Sequence, residues 1–192
     1  MITFIDGGTA SGKTTLANKL NGIHITENKY LSKKHDFLDR QFDFTSQRLK
    51  ELYFLKNEIY NIDTSLLSLI SFTLFSKENT KEDKKIFLDR LIKMPENSIK
   101  IDKIIYLFAL KKVLYERKDK DSSRERNSFK NNILHLDKEI KLYILLSSIY
   151  PESFLIIDTS KPMKEKIKMI DIFKGKSLFL NDILKTIRKL IK

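Results

Sequence analysis

The 192-residue chain has no cysteine and no tryptophan, only three prolines and five glycines, and no apolar run near the roughly 20 residues that cross a bilayer. Without cysteine there can be no disulfide and no thiolate metal site, which fits a reducing compartment. Without a spanning run, no membrane partner is expected. The opening MITFID carries neither a basic region nor a cleavable apolar segment, so a cytoplasmic location is expected. Histidine is scarce too. His24, His35 and His135 fall in three different expected elements, none with a second ligand at trustworthy spacing, and are read as structural or exposed. No G-x-S-x-G sequence, paired-carboxylate glycosidase pattern, internal repeat or flexible linker is present.

Basic charge is what the chain has in excess. There are 37 Lys and Arg against 25 Asp and Glu, a net charge of +12, with 41% hydrophobic and 32% charged residues. That composition describes one α/β domain over residues 1–192 with room for a substantial core. From Lys161 onward ten basic residues face three acidic ones. Two readings stand: a lysine-rich bias, or a basic tail helix that meets a polyanion.

The order of patterns is strand, glycine-rich turn, helix, and then further strands separated by helical stretches. ITFID (2–6), IHIT (23–26), EIYNID (58–63), DKIIYLF (102–108) and FLIID (154–158) are the expected strands. Apolar residues near helical spacing predict helix over Asp36–Leu55, a central apolar helix in TSLLSLISFTLF, a helix in IFLDRLIKM closed by Pro95, and an amphipathic helix over Asn131–Tyr150 stopped by Pro151. KENTKEDKK reads as a polar break. The last helix, about 178–192, sets an apolar stripe of Leu180, Ile183, Leu184, Ile187, Leu190 and Ile191 against Lys185, Arg188, Lys189 and Lys192. The expected fold class is therefore α/β, a three-layer α/β/α arrangement around a mostly parallel five-stranded sheet.

The chemistry is concentrated in GGTASGKT, Gly7 to Thr14, which satisfies G-x-x-x-x-G-K-[ST] between an expected strand and helix. In such a P-loop, successive backbone N–H groups turn toward phosphate oxygens and the helix adds its positive end. Gly7, Gly8, Thr9, Ala10, Ser11, Gly12, Lys13, Thr14 and Thr15 are the expected ATP-binding residues. Lys13 neutralises the β and γ phosphates, and Thr14 offers its hydroxyl to Mg²⁺. Asp63, ending an apolar strand, reads as the second Mg²⁺ residue in the manner of a Walker-B carboxylate, with a role as cap of a helix beginning at Thr64 as the alternative.

The order of these pieces resembles the nucleoside and nucleotide kinases. IIYLF followed by ALKKVLYERKDKDSSRERN is similar to their strand and arginine-containing lid, NIDTSLLSLISF to the D-R-x-x-x-S segment of thymidylate kinases and deoxynucleoside kinases, and LIIDTS to their final strand. The resemblance implies a P-loop NTPase fold with a lid over about 117–130, in which Arg117, Arg124 and Arg126 stabilise the transferring phosphoryl group. It implies Glu27 as the base taking the proton of the attacking hydroxyl. It also implies an acceptor pocket in which Phe44 stacks on a base, Arg48 or Gln47 bonds its edge, and Arg40 or Arg48 replaces the family arginine, since Thr64 stands at that position. Phe44 has core packing as its alternative role.

The expected activity is ATP- and Mg²⁺-dependent phosphoryl transfer to a nucleoside or nucleoside monophosphate. GGTASGKTT and Phe42–Phe44 also resemble uridine kinases, and a kinase of nucleic-acid 5′ ends would use the basic tail. A nucleotide-dependent switch is the reading from another class, and a homodimer stays open.

Overall fold

The computed structural model describes residues 1–26, 31–120, 129–160 and 164–191, with backbone alone for 129–132 and 164–165. Five strands form the main sheet: β1 (Ile2–Gly7), β2 (Ile23–Ile25), β3 (Tyr60–Asp63), β5 (Lys103–Phe108) and β6 (Phe154–Asp158). Their order is β2-β3-β1-β5-β6, and every neighbouring pair is parallel. Parallel neighbours require crossovers, and the helices supply them: α1 (Lys13–Ala17), α2 (Phe37–Tyr53), α3 (Leu66–Phe75), α4 (Lys81–Ile92), α5 (Lys111–Lys120), α6 (Phe129–Ile149) and α7 (Lys164–Ile172), with α8 (Leu180–Leu190) closing the described chain.

Side chains alternate along a strand, so β1, β5 and β6 each feed two cores. Phe4, Ile62, Ile104, Tyr106 and Phe154 point to the larger one, packed by α2, α3, α4, α6 and α8. Ile5, Ile105, Leu107 and Ile157 point to the smaller one, closed by Leu16 and Ala17 of α1 and Ile170 of α7. Each fully buried Leu, Ile or Phe contributes about 1.5–3 kcal/mol. The sheet is thus covered on both faces by helices.

Several elements differ from the expectations. The stretch KENTKEDKK is a break only as far as Asn79; Thr80 then caps α4, its hydroxyl accepting from the Asp83 N–H while the Asp83 carboxylate accepts from Thr80. This capping box starts the helix five residues before Ile86. The lysine-rich 111–120 is helical despite its polarity, with Leu114 buried, and α7 was not expected at all. A second sheet pairs β4 (Lys100–Ile101) with β7 (Leu178–Phe179), antiparallel and only two residues long on each side. Of the expected apolar stripe of α8, Leu180, Ile183, Leu184 and Ile187 are buried whereas Leu190 is exposed, and the basic face is not wholly outward. Arg188 donates from Nε and Nη2 to both carboxylate oxygens of Asp89 on α4, at 2.8 and 3.0 Å.

The topology also places the crevice. The connection leaving β1 runs toward β2, whereas the one leaving β3 crosses back to β5, so the winding reverses between adjacent strands β1 and β3. A doubly wound sheet opens a crevice at the carboxyl ends of its strands at such a point. Gly7 ends β1 and Asp63 ends β3, in the register Ile5↔Asp63.

Candidate functional site

The loop following β1 is shaped by three positive φ angles: Gly7 at 141°, Ala10 at 65° and Gly12 at 98°. A Cβ on Gly7 would stand 2.1 Å from the Leu107 carbonyl oxygen of β5 and 2.8 Å from Ser11 Oγ, so only glycine lets the loop leave the sheet here. Gly7→Ala is expected to destabilise the fold by at least about 3 kcal/mol, seen as a lowered urea midpoint; a wild-type midpoint would refute this account of the turn. Ser11 N–H donates to the Gly8 carbonyl at 3.2 Å, closing the turn. Lys13 Nζ donates to the carbonyls of Gly7 and Gly8 at 2.8 and 3.1 Å, folding its side chain back over the loop. The helix that follows is short, five residues from Lys13 to Ala17, with Leu16 and Ala17 anchoring it in the smaller core.

Thr14 and Asp63 meet beneath this loop. The Thr14 hydroxyl donates to Asp63 Oδ2 at 2.5 Å. Asp63 is not a helix cap: α3 begins at Leu66 and its cap is Ser65, whose hydroxyl accepts from the Leu67 N–H. Thr64 takes a left-handed conformation with φ 58°, rare for a β-branched residue, and its N–H donates to the Ile5 carbonyl. Strain is therefore stored at the residue that occupies the place of the family arginine. His24, read as structural or exposed, lies in this neighbourhood. Its Nδ1 is 2.7 Å from Asn18 Oδ1, and its Nε2 stands 3.8 Å from Asp63 Oδ2. Nothing in its local sequence announces this; only the pairing of β2 with β3 brings it there.

Arg117 does reach the loop. From α5 its Nη1 donates to the Ala10 carbonyl at 3.4 Å, and its Nη2 bonds the Thr159 carbonyl just past β6. Glu27, Arg124 and Arg126 lie outside the described residues, as does most of the expected lid.

On the other side of the crevice, Arg48 is fully buried on α2. Its Nη1 donates to the Thr26 carbonyl at 3.2 Å and to Glu51 at 3.4 Å, while Nε and Nη2 are buried with no hydrogen-bond partner among the described residues. A buried guanidinium with two unmatched donors is costly unless an acceptor arrives. Gln47 is spent in part, its Nε2 donating to the Leu31 carbonyl at 3.2 Å. Phe44 is half-buried and lies outside the apolar cores, whereas Phe42 packs against the larger one. Arg40, partly buried in the first turn of α2, lies over the Phe37 ring at 5.8 Å.

Sequence reasoning missed a third feature. Asp6, the residue before Gly7, is fully buried, and its carboxylate accepts from the Ser65 N–H, the Ser65 and Ser68 hydroxyls and the Tyr143 hydroxyl, all at 2.6–2.8 Å. Burial nevertheless raises its pKa above the ordinary carboxylate range. Nearby on α6, Glu139 accepts from the Ser71 hydroxyl at 3.2 Å, and burial, then Asp6, push its pKa up to about 7. The available signal was a carboxylate ending a buried strand, followed by a serine pair at 65 and 68.

Among the described residues, no group of three or more His, Cys, Asp or Glu could hold a metal by itself, and no helix is long and apolar enough to cross a membrane. Thr14 and Asp63 are, however, hard oxygen donors side by side, a set that suits Mg²⁺ sharing its remaining positions with phosphate and water.

Solved structures share this architecture. Deoxyadenosine kinase from M. mycoides with bound dCTP matches over 89% of this chain and 97% of its own, at 21% identity and a TM-score of 0.62. The same enzyme with bound dATP matches over the same shares at 19% identity and a TM-score of 0.62. YorR protein from Bacillus subtilis, in complex with phosphorylated GDP, matches over 90% and 94% at 20% identity and a TM-score of 0.52. No protein-family model and no curated protein matches the sequence. At these identities the likeness is one of fold, and that fold is the α/β fold of the P-loop kinases.

Proposed function

We propose that the chain is a kinase that transfers the γ-phosphoryl group of ATP to a nucleoside or nucleoside monophosphate. The observation that carries this reading is the pairing of a P-loop on β1 with Arg48 of α2, buried beside the end of β2 with two donors unmatched among the described residues. These strands are two sheet spacings apart, about 10 Å. A nucleoside unit spans such a gap, with its base edge at Arg48 and its phosphorylated end at the loop.

In this reading the loop amides and Lys13 hold the triphosphate, and Arg117, already at the Ala10 carbonyl, adds a permanent cation on the far side of the loop. Thr14 and Asp63 would hold Mg²⁺, which supplies neutralisation of the phosphate oxygens. Phe44 offers its ring to a base. Glu27, Arg124 and Arg126 keep the roles of proton acceptor and lid cations that the resemblance implies. Phosphoryl transfer needs positioning and positive charge more than covalent help, and these residues provide both.

The test is an acceptor panel with purified protein, ATP and Mg²⁺. ADP release should rise about a hundredfold over the basal rate with one or a few nucleosides or their monophosphates, and chelation of the metal should remove that rise. Basal turnover indifferent to every acceptor would overturn the proposal and favour a nucleotide-dependent switch.

A further inference from the structure

Two carboxylates stand behind a loop built to hold an anion. Among the described residues neither Asp6 nor Glu139 has a cation within 4.0 Å. Left ionised together they would repel a phosphate chain as well as each other. Their hydrogen bonds show which one can carry a proton. The Asp6 oxygens are fully occupied by four donors, one of them a backbone N–H that can only donate, which is the environment of an anion. Glu139 accepts only from Ser71 Oγ, at the longer distance of 3.2 Å. Against it lies Tyr106, fully buried, stacked on Tyr143 with ring centroids 4.0 Å apart, its hydroxyl without a partner at normal hydrogen-bond geometry. The Tyr106 hydroxyl can donate to the ionised Glu139 carboxylate or accept from the protonated one, so it serves the group in either state.

The connection to the loop is close. Asp6 precedes Gly7, and a Cβ on Gly8 would meet Leu136 of α6 at 2.8 Å, so the helix carrying Glu139 packs directly on the loop one turn away. The groups acting on Glu139 are Asp6 from β1, Lys13 from the start of α1, Ser71 from α3 and Tyr106 from β5, with Tyr143 one turn on in α6. Lys13 is the single cation among them, and it is the residue that a bound phosphate chain engages. When Lys13 is occupied by phosphate, its attraction on the Glu139 carboxylate is offset by the added negative charge.

We infer that Glu139 is a positioning residue for the phosphate loop: it takes a proton from solvent as a nucleotide enters, and deprotonation weakens the loop's hold. This rests on the proposed nucleotide-binding role of the loop. The direction of the pH effect follows from the shift already described. Free Glu139 is half-protonated near pH 7, and a nearby phosphate chain moves that midpoint higher. Proton uptake is therefore small below about pH 6, where the group is already protonated, and approaches one per nucleotide between the free and bound midpoints.

The experiment is titration calorimetry of the full chain with MgADP, in buffers of differing ionisation enthalpy, from pH 6 to 8.5. The wild type should take up protons near pH 7.5, and its affinity should fall roughly tenfold across the range. Glu139→Gln keeps the size and the bond to Ser71 but cannot titrate. It should lose the uptake and flatten the profile, leaving only the nucleotide's own ionisation, which the comparison of the two proteins cancels. Binding of MgADP with no uptake in the wild type, or with equal uptake in Glu139→Gln, overturns the inference and leaves the loop assignment standing. No binding of MgADP at any pH overturns both. Absence of uptake in the wild type overturns the inference even where the variant fails to fold.

Discussion

Lys13→Ala is expected to lower ATP-dependent turnover by at least about 10³-fold while leaving the protein folded. The rate effect follows from where charge develops. In phosphoryl transfer the outer oxygens carry the negative charge of the transition state, and a preplaced cation in a site shielded from water stabilises it more than it stabilises the ground state. The fold is expected to survive because the loop's path is set elsewhere: by the glycine conformations at 7 and 12, the Ser11–Gly8 turn bond and the burial of Leu16 and Ala17. Lys13 adds two part-buried bonds to carbonyls, together worth about 1–3 kcal/mol net. Circular dichroism and a thermal melt would establish the fold, and a single-turnover assay the rate. A folded Lys13→Ala protein with near-normal turnover would remove the loop from the reaction. The same variant strips Glu139 of the cation that opposes its upward shift, so the midpoint of Glu139 should rise further. Lys13→Arg is not a rescue, because a planar fork cannot reproduce a compact ammonium within a turn this tight.

Much of the fold was legible because its signals are local. Each main strand is an apolar run, and each of β3 and β6 ends in a carboxylate; the P-loop consensus names its own context. The parallel order followed from strands separated by helices. What escaped has few local signals. β4 and β7 pair through two residues apiece, some 77 positions apart in the chain, and such pairing leaves no periodicity. α5 buries little beyond Leu114, so its sequence reads as surface. At the site, Gly7–Thr14 and Asp63 were visible as a motif and a strand end. His24 beside Asp63 and the Asp6–Glu139 pair were not, since each is assembled from residues 39 to 133 positions apart. The alternative reading of Asp63 as a helix cap failed for a similar reason: Ser65 takes the capping role and also donates to Asp6, so the start of α3 is fixed by a long-range contact rather than by the nearest carboxylate.

Arg48→Met is the second large effect, and it separates function from stability by moving them in opposite directions. Acceptor KM should rise about a hundredfold with ATP binding unchanged, while the protein gains about 1–2 kcal/mol of stability. The reason is the cost of Arg48 to the folded chain. Its guanidinium is fully buried, its two bonds are long at 3.2 and 3.4 Å, and Nε and Nη2 have no acceptor. Replacing such a group by an unbranched apolar side chain removes the desolvation penalty and preserves helix propensity. A fold that retains the arginine despite this cost is explained by an acceptor on the ligand, whose binding then satisfies donors that water cannot reach. Arg48→Lys should fall between, keeping the charge and the bond to the Thr26 carbonyl but losing the planar pair of donors that would grip a base edge. Steady-state kinetics over the acceptor identified in the panel, with urea denaturation of all three proteins, makes the comparison. If Arg48→Met instead loses stability and binds the acceptor normally, the arginine is a tie between α2 and the end of β2, and the acceptor pocket must be sought elsewhere along the crevice.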